Sequence, residues 1–200
     1  MDYADEKSTG FSPPSLASGH LCGTDKTERD VLARLLYGFR IAMTFAIGYL
    51  ILTYLIAIAA GSVMGFFGGR TDMLGLRLVE IWANVPFLYM VIILVSVMPG
   101  WWGVGWQVCS LLLIMVLFSW TGLTYYVRAA VYKEKSRDYI AAAQVIGAGP
   151  LRIIFKHLLP NVISTLVTFA PFTIAAAISS ITALDFLGYG LPPPTPSWGE

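Results

Sequence analysis

The chain has 200 residues, of which 56% are hydrophobic and 12% charged, with a formal net charge of +1. That charged fraction is about half of what a soluble domain carries, and near-neutrality excludes the basic surface field of a nucleic-acid binder. Cys22 and Cys109 lie far apart with no histidine or carboxylate at ligand spacing, which argues against a disulfide framework or zinc site and for two thiols packed as small hydrophobes.

The charges are segregated along the chain. Residues 1–40 are polar, lack an apolar signal-peptide core and are predicted to lie outside the membrane. From Ile41 to Gly69 there is no charge, enough for one span with room for tilt, since a membrane helix needs about 20 apolar residues. Ala57, Gly61, Gly65 and Gly69 recur every four residues, so one face of this helix is a ribbon of small side chains. Such a ribbon lets backbones approach closely, either at a subunit interface or against another helix of the same chain.

Arg70 and Arg77 mark a short basic connection over 70–80. The next charge-free run, Ile81 to Val127, is too long for one helix and is broken by "MPGWWGVGWQ". Proline, glycines and tryptophans there predict a tight hairpin at the membrane surface, with spans near 81–98 and 107–127. Glu80 and Asn84 then stand at the N-terminus of the second span, where the helix dipole favours a carboxylate cap. A fourth span is expected near 161–184, kinked at Pro171, and 185–200 is polar again. The reading is an all-α integral membrane protein, a polytopic bundle over 41–184 with four visible spans.

Lysine and arginine set the orientation. The connection 128–160 holds Arg128, Lys133, Lys135, Arg137, Arg152 and Lys156 against Glu134 and Asp138, while the 99–106 hairpin has no charge. The positive-inside rule places 70–80 and 128–160 in the cytoplasm and the hairpin outside. Parity then puts 1–40 and 185–200 outside as well.

Within 128–160, "RDYIAAAQVIGAGPLRIIFKHLLPN" has an unusual design for a loop. Ser136 is expected to cap a short helix over "DYIAAAQVI", Gly147 to end it in a left-handed conformation, and Gly149-Pro150 to start another. That second helix is expected to run to Pro160, where the last span begins. Tyr139, Ile140, Ala143 and Val145 are expected to be exposed on the first helix. Two helices at an angle suit a docking surface; the competing reading is an amphipathic segment lying on lipid headgroups.

The spans contain hydroxyls, among them Thr44, Thr53, Ser62, Ser96, Ser119, Ser164 and Thr168, but no Asp, Glu, Lys or Arg. Hydroxyls of this kind ordinarily bond back to helix carbonyls. His157 reads as a headgroup-level residue rather than a proton relay. The absence of intramembrane charge weighs against a secondary transporter coupled to protons or sodium. A non-transporting structural subunit fits the composition but leaves the docking loop without a purpose. "GTDKT" lacks the second glycine and the phosphate-cradling loop of a Walker motif, so no ATPase of its own is expected.

The docking loop resembles the cytoplasmic signature of permease subunits of bacterial ABC importers: Glu-Ala-Ala, three residues, Gly, nine residues, then Ile-x-Leu-Pro. Here Ala141-Ala142-Ala143, Gly147 and His157-Leu158-Leu159-Pro160 stand at that spacing, with alanine for the glutamate and histidine for the isoleucine. "GTDKTERDVLARLLYGFR" is similar to a signature of the dipeptide and oligopeptide permeases, with Glu28 for its glycine, and "GFFGGRTD", "LRLVEIWANVPFLYMVIIL" and "LDFLGYGLPPPTPSWGE" extend the match. The Tyr-Gly-Phe-Arg and Leu-Asp-Phe-Leu-Gly forms look most like the microcin C and oligopeptide uptake type.

The resemblance implies a multi-pass permease of the bacterial inner membrane. It implies peptide cargo (oligopeptide, dipeptide or microcin C-like), a second permease subunit, two ATP-binding subunits that hold the ATP, and an external substrate-binding protein. No cofactor is implied for this chain. The ATPase docking residues it implies are Asp138, Tyr139, Ala141, Ala142, Ala143, Gly147, Pro150, His157, Leu159 and Pro160. Members of the family have one more helix at each end, so the chain is expected to be truncated on both sides.

Overall fold

A computed structural model describes residues 13–14, 20–24, 29–192 and 195–199. The motif positions 25–28, 193–194 and 200 lie outside the described residues. The helices are α1 (Val31–Phe67), α2 (Gly69–Ala83), α3 (Phe87–Ser96), α4 (Val104–Lys135), α5 (Asp138–Val145), α6 (Pro150–Arg152), α7 (Leu159–Val167) and α8 (Ala170–Phe186). A π-helical turn, Ile153–Leu158, joins α6 to α7. Helices α1 and α4, with 37 and 32 residues, are each long and apolar enough to cross a membrane. The α2–α3 pair bends by 69° and the Pro150–Val167 and α8 pair by 57°, which brings the number of candidate spans to as many as four.

Helix α1 starts well before the apolar run, because its start is set by a cap rather than by hydropathy. The Asp30 carboxylate accepts the backbone N–H of Leu32 at 2.9 Å and of Ala33 at 3.3 Å, and His20 Nδ1 lies 3.1 Å from its other oxygen. Burial works against the Asp30 charge, but the hydrogen bonds from His20, Ala33 and Leu32 outweigh it and hold the carboxyl below the ordinary aspartate range. The segment 31–40, expected to lie outside the membrane domain as part of 1–40, is therefore helical and continuous with the first span.

The expected single span over 81–98 is two helices. Pro86 lacks an N–H and disfavours helical backbone at Val85, so α2 ends at Ala83 and α3 begins at Phe87. This overturns the expectation for Glu80 and Asn84. Glu80 lies in the last turn of α2, where the helix dipole opposes a carboxylate, and it pairs with Arg77 at 2.7 Å. Asn84 is the C-cap of α2, its side-chain amide donating to the Glu80 carbonyl at 2.7 Å. Helix α4 takes in Val104 to Trp106 from the expected hairpin and continues to Lys135, so 128–135 is helix rather than loop.

The chain folds as two compact units. One comprises Met1–Gly48, Ile92–Leu112 and Ile174–Glu200. In it the Trp198 ring stacks on Phe39 with centroids 5.8 Å apart, and its indole N–H donates to the Leu35 carbonyl at 3.1 Å. Asp185, near the end of α8, accepts hydrogen bonds from the Ser197 hydroxyl and the Leu191 backbone N–H.

The other unit comprises Tyr49–Val91 and Leu113–Thr173. There the small-residue ribbon meets α4. A β-carbon at Gly61 would stand 2.7 Å from Val127 Cβ, and one at Gly65 would stand 2.8 Å from the Arg128 carbonyl oxygen. Ala57 is fully buried. Of the two readings of the ribbon, packing within the chain is the one observed. Gly69 is not part of it: α1 ends at Phe67, and Gly68 and Gly69 turn the chain with φ of 64° and 54°. The turn is held by α4, whose Arg128 guanidinium forms a two-pronged ion pair with Asp72, while the Lys135 ammonium donates to the Phe66 carbonyl and lies 5.3 Å from its ring centroid.

Two smaller expectations also resolve. Thr44, Ser96, Ser119, Ser164 and Thr168 do bond back to carbonyls three or four residues earlier, whereas the Thr53 and Ser62 hydroxyls are buried without a hydrogen-bond partner. Cys22 and Cys109 are unpaired but exposed, so they are not core packing.

Candidate functional site: the turn between α4 and α7

Helix α5 is short because signals at both ends confine it. Its N-cap is Arg137, in extended conformation, with no side-chain cap. Ser136, expected in that role, instead donates its hydroxyl to the Lys133 carbonyl at 2.8 Å, because α4 runs on to Lys135 and leaves carbonyls to satisfy there. At the other end, the Ala148 N–H reaches the Ala143 carbonyl and the Gly147 N–H the Gln144 carbonyl, each at 3.0 Å, with Gly147 at φ 84°. This is a Schellman ending, and it requires the left-handed residue the sequence supplies as glycine. Gly149 then caps α6 with Pro150 at its first position.

The inner and outer faces of α5 differ from the expected ones. Ile140 and Ala143 are buried, 1% and 5% exposed, and Ile140 lies in the cluster with Val127, Val131, Ile153 and Leu158. They anchor the helix and are not available to a partner. The outward row is Asp138, Ala141, Ala142, Val145 and Ile146, of which Val145 and Ile146 are 86% and 84% exposed. Beyond the turn, Leu151 and Phe155 continue this apolar exposure at 70% and 66%. Tyr139 is partly exposed, and its hydroxyl donates to the Glu134 carboxylate at 2.9 Å and accepts from the Asn161 amide at 3.1 Å. Burial, and next the hydrogen bond to Glu134, push the tyrosine's pKa up, so it stays a neutral hydroxyl.

The second half of the motif is not a helix that stops at Pro160. The backbone runs through the proline into α7, with Leu159 bonded to the Ile154 carbonyl in a π-type ring. A proline has no N–H and its ring collides with the carbonyl four residues back, so a widened turn just before it lets the helix continue. Leu159 is buried, His157 is half-buried, and Pro160 is exposed. The motif thus divides into an outward row on α5 and inward anchors at Ile140, Ala143 and Leu159. Asn161, Glu134 and the Asp72–Arg128 pair escaped the sequence reading; an asparagine directly after Pro160, at the head of an apolar helix, was the available signal. Among the described residues no three potential metal ligands converge.

Comparison with known proteins bears on this geometry. The chain is 42% identical over 193 residues to a peptidoglycan transport system permease protein of Agrobacterium fabrum, covering 96% of this chain and 49% of that protein. It is 35% identical over 187 residues to an oligopeptide transport system permease protein of Bacillus subtilis, covering 94% and 56%. It is 33% identical over 194 residues to a di/tripeptide transport system permease protein of Pseudomonas aeruginosa, covering 94% and 62%. The chain therefore spans about half to three-fifths of the length of the relatives it matches. Residues 57–200, which include the whole α4–α7 turn, match the binding-protein-dependent transport system inner membrane component family. With its apolar helices and this match, the chain is a multi-pass inner-membrane protein, and it belongs to the family of binding-protein-dependent transport system inner membrane components.

Proposed function

We propose that the chain is the permease part of an ATP-driven importer of peptides, and that the α5–α6 turn faces the cytoplasm and seats an ATP-hydrolysing subunit. One observation carries the docking role: α5 is pinned from inside by Ile140 and Ala143 while Ala141, Ala142, Val145 and Ile146 point outward. A small-residue helix with an apolar tip, held rigidly on two buried anchors, suits a groove in a partner protein. A membrane-lying helix would instead present one broad apolar face, and α5 has its large apolar residues split between inside and outside. The peptide cargo is supported by the relatives, which are named for oligopeptides, di/tripeptides and peptidoglycan. A microcin C-like cargo is the finer form of the same reading.

ATP binds in the partner subunits, two of which would pair with this chain, a second permease and an external binding protein. Closure of the ATPases displaces α5, and the membrane helices shift between inward- and outward-open states. The test is co-purification of the full-length protein with its ATPase subunits, together with uptake of a labelled peptide. Ala142→Trp places a bulky ring on the outward row and is expected to release the ATPase or abolish uptake while the protein still inserts. Wild-type co-purification and uptake in that variant overturn the docking role.

A further inference from the structure

Three helices meet at one hydroxyl. Asn161 Nδ2, in the first turn of α7, donates to Tyr139 Oη at 3.1 Å, and Tyr139 in α5 donates to a Glu134 carboxylate oxygen at the end of α4 at 2.9 Å. The Arg137 guanidinium holds the same carboxylate at 2.9 Å. A tyrosine hydroxyl has a single proton, so donating to Glu134 leaves its lone pairs free to accept from Asn161, and the chain of bonds runs in one direction. The Asn161 amide also donates to the His157 carbonyl at 3.0 Å, which ties it to the π-helical turn.

We infer that the Tyr139–Asn161 hydrogen bond is the coupling link that carries movement of α5 into α7, with Asn161 a positioning residue for transport. The inference rests on the docking reading of α5. Three features select this pair. Asn161 is the first residue after Pro160, where α7 is free of the i−4 bond that the proline cannot make, so a side-chain tether has leverage on its start. The π turn between α6 and α7 is where the hydrogen bonding along this path departs from the α-helical pattern, and such turns are frequent at functional sites. Ile140, beside Tyr139, and Val162, beside Asn161, are buried in one cluster, so the two ends of the link are each fixed to the same apolar support. Glu134, itself paired with Arg137, holds the tyrosine hydroxyl in place from the α4 side.

The experiment uses the full-length protein assembled with its partner permease and ATPases in proteoliposomes, measuring labelled-peptide uptake and ATP hydrolysis together. Asn161→Ala is expected to keep the ATPases bound and hydrolysing while peptide moved per ATP falls about fivefold, the size of one lost neutral hydrogen bond acting on a two-state equilibrium. Tyr139→Phe is expected to lower the same ratio, and the double variant to lose less than the two single losses combined, because both remove the shared Tyr139–Asn161 bond while each also removes one bond of its own. A role in folding alone would reduce the amount assembled without changing the ratio. An unchanged ratio in Asn161→Ala, or losses that add in the double variant, overturns the link while leaving the docking role standing. A wild-type protein that does not retain the ATPases overturns both.

Discussion

Two regions of the molecule use glycine for opposite reasons. At the α1–α4 seam, Gly61 and Gly65 lie in ordinary helix and are needed for space: a β-carbon at either would stand under 3 Å from backbone or branched side chains of α4. At the α5–α6 turn, a β-carbon on Gly147 would meet nothing within 4 Å, and the residue is needed for its φ of 84°. The seam is close-packed and intolerant of volume. The turn is open and intolerant only of a backbone angle.

Substitution separates the two. Gly65→Leu has no accommodation next to the Arg128 carbonyl and Val131, and the loss is expected to exceed the ~1–3 kcal/mol of ordinary overpacking. Folded yield and the thermal midpoint in detergent should collapse; a normal midpoint would mean that α1 and α4 separate freely. Of intermediate size is Asp72→Asn, which leaves Arg128 without its anionic partner in a pair whose side chains are 17% and 27% exposed. A loss of about 2 kcal/mol is expected, read as a lower midpoint, with Arg128→Gln no worse when added to it. Smallest is Gly147→Ala, which strains one residue by about 1–2 kcal/mol. It should leave insertion and the midpoint nearly normal while weakening ATPase retention, because its effect is on the aim of α5. Were Gly147→Ala as damaging to the midpoint as Gly65→Leu, the distinction between space and angle would fail.

The turn was the more legible of the two regions. Gly147, Gly149 and Pro150 are local signals, and local signals act through the backbone of a few neighbouring residues; the helix end and the restart occur where they indicate. The face that α5 presents was misjudged. Ile140 and Ala143 were expected outside because an eight-residue helix shows too little periodicity to distinguish its sides, and only tertiary packing selects them, Ile140 through the cluster with Val127 and Val131. Ser136 lost its expected role to the end of α4, a competition between neighbouring helices that neither sequence segment shows by itself. Pro86 was the signal passed over: the surrounding apolar run outweighed it in a hydropathy reading, although a missing N–H acts regardless of hydropathy.

By itself the amino-acid sequence determined where the chain can enter a membrane, since segregation of charge from apolar runs is a property of composition along the chain and transfer from water depends on little else. It also determined the helix–turn–helix of the α5–α6 segment, whose glycines and proline limit backbone angles one residue at a time. The tertiary structure decided what no single segment contains. The glycine ribbon acquires meaning only when α4 lies against it, Arg128 finds Asp72 at a separation of 56 residues, and Asn161 meets Tyr139 across 22. These are pairings between distant parts of the chain, each made possible by packing that brings backbones close enough for a specific contact, and a pattern read along one strand of sequence carries no record of which distant partner will fill that space.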